Sequence, residues 1–125
     1  MFKTQITPFI NCSNLERAIA FYEDYLEFKC TFKMEGYAFL RSEAVAIRLL
    51  EVGFDLSIEE REQMVYIDVD GIDALYEKLR GKLERLPEGR QRAPFNQDYG
   101  QREFHVKDED CTLILFGEEI ARDGA

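Results

Sequence analysis

The sequence contains one pattern of residues twice, and this repetition constrains the fold more than any other feature. In each copy a stretch of alternating residues runs into a helical pattern, first at Ile6–Phe28 and again at Met64–Leu79. A pair of alternating stretches joined by a tight turn follows each time, at Gly36–Val52 and at Asp98–Glu118. Alternation predicts strands, and apolar residues three or four apart predict a helix. The pattern therefore predicts an α+β fold of two βαβββ modules.

The length of the chain, 125 residues, favours a single domain with its own core. Within it we expect a half-module at 1–52, a linker at 53–62, a second half-module at 63–118 and a frayed polar tail at 119–125. Superposing Leu15 on Ile72 aligns the halves, but few residues are identical, so the repeat is one of pattern only.

Local signals predict where the first elements begin and end. Gln5–Cys12 alternates and contains Pro8, which suits an edge or terminal strand. Ser13–Glu16 has the spacing of a capping box, so the first helix is expected to start there. Leu86–Gln97 holds two prolines and a glycine, which predicts a mobile loop beside a binding face. The apolar positions of the first helix that should face the core are Leu15, Ala18, Ile19, Tyr22 and Leu26.

Charge and composition exclude several classes of partner. The formal net charge of −9 opposes binding to nucleic acids and to anionic membrane surfaces. No run of 18 apolar residues is present, so no membrane span is expected, and the first residues do not form a secretory signal. Three cysteines without metal-like spacing indicate reduced thiols, which predicts a cytoplasmic protein.

Two short motifs give the repeated pattern a family resemblance. Thr7–Pro8 in the first strand and Tyr99–Phe104 in the second half resemble the vicinal-oxygen-chelate superfamily of glyoxalases, dioxygenases and bleomycin resistance proteins, and most of all the last group. The resemblance implies two βαβββ modules that form a curved mixed β-sheet with the helices on its outer face. It also implies a homodimer in which the N-terminal strand is exchanged between subunits, with Pro8 where such an arm would leave.

The enzymes of this superfamily hold a divalent metal through His, Glu or Gln on the first and last strands of each half. The positions that match are Thr7 and Arg48 in the first half and Met64 and Leu115 in the second. None of these side chains is a credible ligand, and the positive charge of arginine repels a cation. His105 is the only histidine and is expected to be an ordinary strand residue. We therefore expect no metal, no other cofactor and no catalytic residue.

The resemblance also implies a ligand groove lined by aromatic side chains. The matching positions Phe32, Tyr37, Tyr66 and Tyr99 are all aromatic. Aromatic faces stack on flat heteroaromatic groups and attract cations. The carboxylates of Asp68 and Glu103 would favour a cationic ligand, whereas Arg48 would pair with Asp68 or receive an acidic group. The complete set of expected ligand-binding residues is Phe32, Tyr37, Arg48, Met64, Tyr66, Asp68, Tyr99 and Glu103.

Three functions remain open at this stage. The first is a metal-free protein that sequesters a flat antibiotic such as bleomycin in an aromatic-lined dimer cleft. The alternative is a metal-dependent enzyme of the same superfamily, a lyase or dioxygenase. The third is a regulatory module whose cleft receives a protein partner.

The chain departs from the family pattern where glycines are usual. Cys111 occupies the glycine position of the turn before the last strand, and Glu27 occupies the one after the first helix. A side chain in a left-handed backbone conformation costs about 1 kcal/mol relative to glycine. We therefore expect a strained turn at Cys111 and a weaker helix stop at Glu27.

Overall fold

A computed structural model of the protein describes residues 2–121. Of the tail predicted at 119–125, Glu119 belongs to the last strand and residues 122–125 lie outside the described residues. The chain forms two compact units. The first holds the residues up to Gln63 together with Glu109–Cys111, and the second holds Met64–Asp108 and the described residues from Thr112 on.

Each unit is a four-stranded mixed sheet with one helix. The first contains β1 (Phe9–Cys12), α1 (Leu15–Leu26), β2 (Lys29–Met34), β3 (Tyr37–Ser42) and β4 (Val45–Glu51), in the sheet order β1-β4-β3-β2. The second contains β5 (Met64–Asp68), α2 (Ile72–Leu83), β6 (Gln91–Asn96), β7 (Gln101–Lys107) and β8 (Leu113–Glu119), in the order β5-β8-β7-β6. In both sheets the first strand runs parallel to the last one, and the other neighbours are antiparallel. The predicted α+β fold of two βαβββ modules is confirmed.

The two helices cover one face of their own sheets because their apolar residues follow helical spacing. All five residues predicted to point inward from α1 are buried, and Phe21 joins them. The helix packs on β2, β3 and β4, where Ala38, Leu40 and Leu49 have no exposed surface. In the second unit α2 packs on β6, β7 and β8, over a stacked pair formed by Phe104 and Phe116 at 4.7 Å. Alternation along the strands leaves the other face of each sheet uncovered by its helix.

The start of α1 differs from the predicted capping box by one residue. Asn14 is the N-cap, and its side chain accepts a hydrogen bond from the backbone N–H of Arg17 at 2.9 Å. Ser13 instead donates its hydroxyl to the Asp110 carboxylate at 2.7 Å. Asparagine and serine cap helices about equally well, so the tertiary contact to Asp110 decides which of them does so here.

Two predictions about strands are wrong. An irregular loop was predicted at Leu86–Gln97 because Pro94 was expected to break a strand. The stretch instead contains β6. β6 is an edge strand, and its pairing with β7 is irregular between Arg92 and Phe95, so the proline removes no regular ladder hydrogen bond. The first strand is shorter than the predicted Gln5–Cys12 and begins at Phe9.

Both residues in place of the usual glycines have left-handed backbone conformations. The φ angle is 60° at Glu27, where the backbone N–H still closes the last turn of α1 on the carbonyl of Tyr22. It is 70° at Cys111, in the turn before β8. The chain therefore keeps the backbone shape of these turns without the residue that adopts it most easily.

Candidate functional site

The uncovered face of the first sheet carries a row of exposed aromatic residues. Strand register places Phe9, Arg48, Phe39 and Phe32 side by side across β1, β4, β3 and β2. Phe9 is 51% exposed and Phe32 is 54% exposed. The ring of Tyr37 lies 6.5 Å from Phe9 and 6.2 Å from Phe32, between centroids. We call these four aromatic residues and Arg48 the first aromatic surface.

Arg48 is fixed at the centre of this surface by neutral partners. Its Nε donates to the hydroxyl of Thr7 at 2.7 Å, and a terminal nitrogen donates to the hydroxyl of Tyr37 at 2.5 Å. Its guanidinium lies 4.9 Å from the ring centroid of Phe39. These partners are a hydroxyl, a phenol and an aromatic ring, so they hold the cation without cancelling its charge.

The uncovered face of the second sheet is organised around a buried carboxylate. Glu103 on β7 has no exposed surface. It accepts hydrogen bonds from the hydroxyl of Tyr99 at 2.5 Å and from the amide of Gln97 at 3.2 Å. Nε2 of His105 lies 2.8 Å from the same carboxylate, and Tyr66 adds a further hydrogen bond. We call these five residues the Glu103 cluster.

The hydrogen bonds of the cluster keep Glu103 ionised. Burial alone would raise the pKa of this carboxyl, but hydrogen bonds from His105, Tyr99, Gln97 and Tyr66 outweigh burial and lower it. Because an ionised carboxylate only accepts hydrogen bonds, Nε2 of His105 must carry the proton. The effect on the phenols is opposite: burial and then the hydrogen bond to Glu103 raise the pKa of Tyr66 to about 12.

Tyr66 reaches the cluster only because residue 117 is a glycine. The ring crosses β8 so closely that a Cβ atom on Gly117 would lie 1.8 Å from the Tyr66 hydroxyl. Gln101 donates to the same hydroxyl at 3.1 Å. The roles of Gly117, Gln97 and Gln101 were not predicted from the sequence. The one available signal was a lone glycine inside a strand, which often marks a close approach of another group.

The eight residues expected to bind a ligand fall into both units. Phe32, Tyr37 and Arg48 belong to the first aromatic surface. Tyr66 and Tyr99 are 38% and 61% exposed on the second unit, where they cover Glu103. Because Glu103 itself is fully buried, any effect it has on a ligand would pass through these two tyrosines. Met64, which is 68% exposed, and Asp68 lie on β5 on the same face as Tyr66.

The residues present do not fit the metal chemistry that the family resemblance implies. Leu115 is buried and apolar, Met64 offers only a thioether, and Arg48 carries a positive charge bonded to Thr7. Between residues 2 and 121, no three His, Cys, Asp or Glu side chains are grouped as a metal site requires. The surfaces can stack on a ligand, donate hydrogen bonds and attract charge. Their chemistry supports binding and assigns no reaction step to a metal.

A sequence comparison gives the family of the chain. The model of the Glyoxalase/Bleomycin resistance protein/Dioxygenase superfamily matches residues 5–116, so the chain belongs to that superfamily. No curated protein sequence matches the chain.

Solved structures share the fold at low sequence identity. A bleomycin-binding protein in complex with bleomycin is 21% identical, with a TM-score of 0.80 over 94% of this chain and 99% of that one. The bleomycin-binding protein of Streptomyces verticillus with copper(II)-bleomycin is 19% identical, with a TM-score of 0.77 over 98% and 100%. A lactoylglutathione lyase from Agrobacterium tumefaciens is 15% identical, with a TM-score of 0.69 over 93% and 94%. Binding proteins and an enzyme share this fold, so the fold alone does not assign the activity.

No helix between residues 2 and 121 is long and apolar enough to cross a membrane. In the same part of the chain Cys12, Cys30 and Cys111 form no disulfide.

Proposed function

We propose that the protein is a metal-free, cytoplasmic binding protein that sequesters a flat, cationic antibiotic of the bleomycin type. The observation that carries this proposal is the exposure of aromatic side chains on each unit. Phe9 and Phe32 on the first sheet, and Tyr99 in the turn before β7, are each more than half exposed. Exposed apolar groups gathered together, as Phe9 and Phe32 are on the first aromatic surface, usually mark an interaction site, because water solvates them poorly.

The chemistry of the two surfaces suits a planar ligand. Phenylalanine and tyrosine rings stack on heteroaromatic groups and attract cations through their faces. The ionised Glu103 polarises the hydroxyls of Tyr66 and Tyr99, and Asp68 adds an exposed negative charge on the same face. On the first aromatic surface, Arg48 would receive an electron-rich part of a ligand. Sequestration requires only tight binding, so no reacting group is needed.

We propose further that the functional form is a homodimer whose aromatic-lined cleft holds the ligand. Support comes from the family resemblance and from the residues that precede β1. Phe2 and Ile6 are 95% and 96% exposed in the single chain. Large apolar side chains so exposed are covered at low cost by a second subunit, which suits an exchanged N-terminal arm.

Titration calorimetry with metal-free and copper-loaded bleomycin tests the binding function. We expect a dissociation constant well below 100 μM, a value that corresponds to about 5–6 kcal/mol of binding free energy. Replacing Tyr99 by alanine should weaken binding about tenfold, because an aromatic stacking contact contributes about 0.5–1.5 kcal/mol beyond burial. Phe54→Ala is the matched control, since Phe54 is 46% exposed in the predicted linker.

Absence of binding at 100 μM drug, or equal losses in the two variants, would reject the antibiotic as ligand. Metal analysis of the purified protein tests the enzymatic alternative. Stoichiometric nickel, zinc, iron or manganese would favour a lyase or dioxygenase and contradict the metal-free proposal.

A further inference from the structure

We propose that the second unit contains a binding pocket for a small oxyanion of the phosphate type. The pocket lies where β6 begins and β7 ends. This pocket has a volume of about 230 Å³. Its lining includes Arg90, Arg92, His105 and Lys107, together with Gly89, Gln91 and Leu113. Drug-sized ligands usually fill about 300–1,000 Å³. The pocket is therefore suited to a small charged group.

The charge of the lining is opposite to that of the protein. The chain has a formal net charge of −9 with 16 lysines and arginines against 25 acidic residues. Three of these 16 cations nevertheless line one pocket. In so acidic a chain, basic residues would be expected to lie among the carboxylates. Three of them close together create a local positive potential that attracts an anionic ligand.

Arg92 is held in place before any ligand binds. The guanidinium carbon of Arg92 lies 3.4 Å from the ring centroid of Phe95, so the planar group stacks on the ring. Phe95 in turn meets the ring of His105 edge to face at 5.0 Å. An arginine stacked in this way keeps its N–H groups directed outward in the plane of the guanidinium, which is the geometry that binds two oxygens of one anion.

The main chain fixes the rest of the lining. Arg90 and Lys107 are joined by two hydrogen bonds. The backbone N–H of Lys107 donates to the carbonyl of Arg90 at 2.8 Å, and the side-chain Nε of Arg90 donates to the carbonyl of Lys107 at 3.0 Å. The turn before them closes from the N–H of Arg90 to the carbonyl of Pro87, with Gly89 at a φ of 88°. That φ angle at the third position of a turn requires glycine. A rigid lining reduces the entropy lost when an ion binds.

The carboxylates near the pocket are already engaged with other groups. Glu103 is buried and accepts from Nε2 of His105, so Nδ1 of the neutral imidazole is an acceptor and provides no hydrogen bond to an anion. Asp108, next to Lys107, is buried and accepts the backbone N–H of Thr112 at 2.9 Å. These carboxylates reduce the positive potential but leave the side chains of Arg92 and Lys107 to bind an anion.

This inference goes beyond the proposed function, because its anion donors lie outside the Glu103 cluster, with which the pocket lining shares His105, and its ligand has the opposite charge. Arg92 and Lys107 are not among the residues expected to contact an antibiotic. The anion is either a free ion such as phosphate or the phosphate group of a small molecule. Both would use the same donors, and titrations with inorganic phosphate and with glycerol phosphate distinguish them by relative affinity.

Nuclear magnetic resonance with the ¹⁵N-labelled full chain tests the pocket directly. Sodium phosphate is titrated at constant ionic strength, with sulfate and acetate in parallel. We expect a phosphate dissociation constant of about 1 mM or lower. Shifts should be confined to the amides at 89–92 and 105–107. The dianions should bind more tightly than acetate, since two cations match two charges.

Matched charge variants identify the donors. Arg92→Gln and Lys107→Gln should each weaken phosphate binding about tenfold, because each removes a hydrogen bond from a charged donor. Arg85→Gln changes the net charge equally at an exposed residue outside the pocket and should have no effect. Circular dichroism checks that each variant is folded.

The proposal fails if 20 mM phosphate causes no shift, if the shifts spread over all surface cations, or if the Arg85 variant loses as much affinity as the other two. Bleomycin titrations on the same variants separate the two proposals. We expect Arg92→Gln to leave antibiotic binding unchanged while phosphate binding falls.

Discussion

At the scale of single residues, the second unit depends on one ionised carboxylate that is fully removed from water. Burying a charge is costly unless hydrogen bonds replace its hydration. Glu103 meets this condition with four hydrogen-bond donors, which are two phenols, one amide and one imidazole. Its stabilising effect therefore depends on the geometry of these donors more than on any ion pair.

Replacing Glu103 by glutamine should lower the free energy of unfolding by about 1–3 kcal/mol at pH 7. The amide presents its own N–H groups to donors, so buried hydrogen-bonding groups lose their partners. Urea denaturation measures the effect, and Glu119→Gln is the control, because Glu119 is exposed on the neighbouring strand.

The difference in unfolding free energy between the wild-type protein and the Glu103→Gln variant should depend on pH. The pKa of Glu103 is lowered in the folded protein from an ordinary value of 4.5. Its contribution to stability is therefore complete above that ordinary value and is lost as the pH falls through the lowered one. The difference between the wild-type protein and the Glu103→Gln variant should shrink below about pH 4. A constant difference between pH 7 and pH 3 would contradict this assignment.

At the scale of elements, the last strand of each module caps the helix of the same module. In the first unit Glu51, the final residue of β4, accepts the backbone N–H of Leu15 at 2.7 Å. In the second unit Glu118 on β8 accepts the N–H groups of Gly71 at 2.7 Å and Ile72 at 3.2 Å. Helix N-termini leave such N–H groups unpaired and carry partial positive charge. The repeat therefore includes a carboxylate that ties the end of one element to the start of another.

Replacing Glu118 by alanine should lower the urea midpoint of unfolding. The helix α2 has no side-chain cap from Gly71, so Glu118 is the residue that satisfies these two N–H groups. Hydrogen bonds from them lower the pKa of Glu118, and the stabilisation should disappear as the pH falls through that lowered value. Glu119→Ala removes an equal charge one residue later. A midpoint shift as large in that control would show that general charge, not capping, is responsible.

At the scale of the whole molecule, the chain is a member of a superfamily in which one fold serves both binding and catalysis. Its uncovered sheet faces carry Arg48, Met64 and Leu115, none of which is a credible metal ligand, and exposed aromatic residues lie on each unit. Its proposed homodimer would also cover the exposed apolar segment before β1.

Replacing both Phe2 and Ile6 by serine should raise the dissociation constant of the proposed dimer at least about 100-fold. Full burial of each side chain contributes about 1.5–3 kcal/mol. Sedimentation equilibrium measures the change. Lys3→Ser alters an exposed polar residue of the same segment and should leave the association unchanged. A monomeric wild-type protein, or equal association of all three proteins, would contradict the proposed arm exchange.

The sequence by itself determined the order of elements apart from β6, because periodicity of apolar residues is a local property, and it predicted the buried face of α1 for the same reason. The strained turn at Cys111 and the weaker helix stop at Glu27 were expected from the family resemblance, and both residues have positive φ angles. Only the tertiary structure decided which polar groups meet. Tyr66 meets Gln101, Glu103 and Gly117 because β5 pairs with β8, which lies far from it in sequence, and no local pattern records that pairing. For the same reason Arg92 and Lys107 line one pocket, although they lie in different strands.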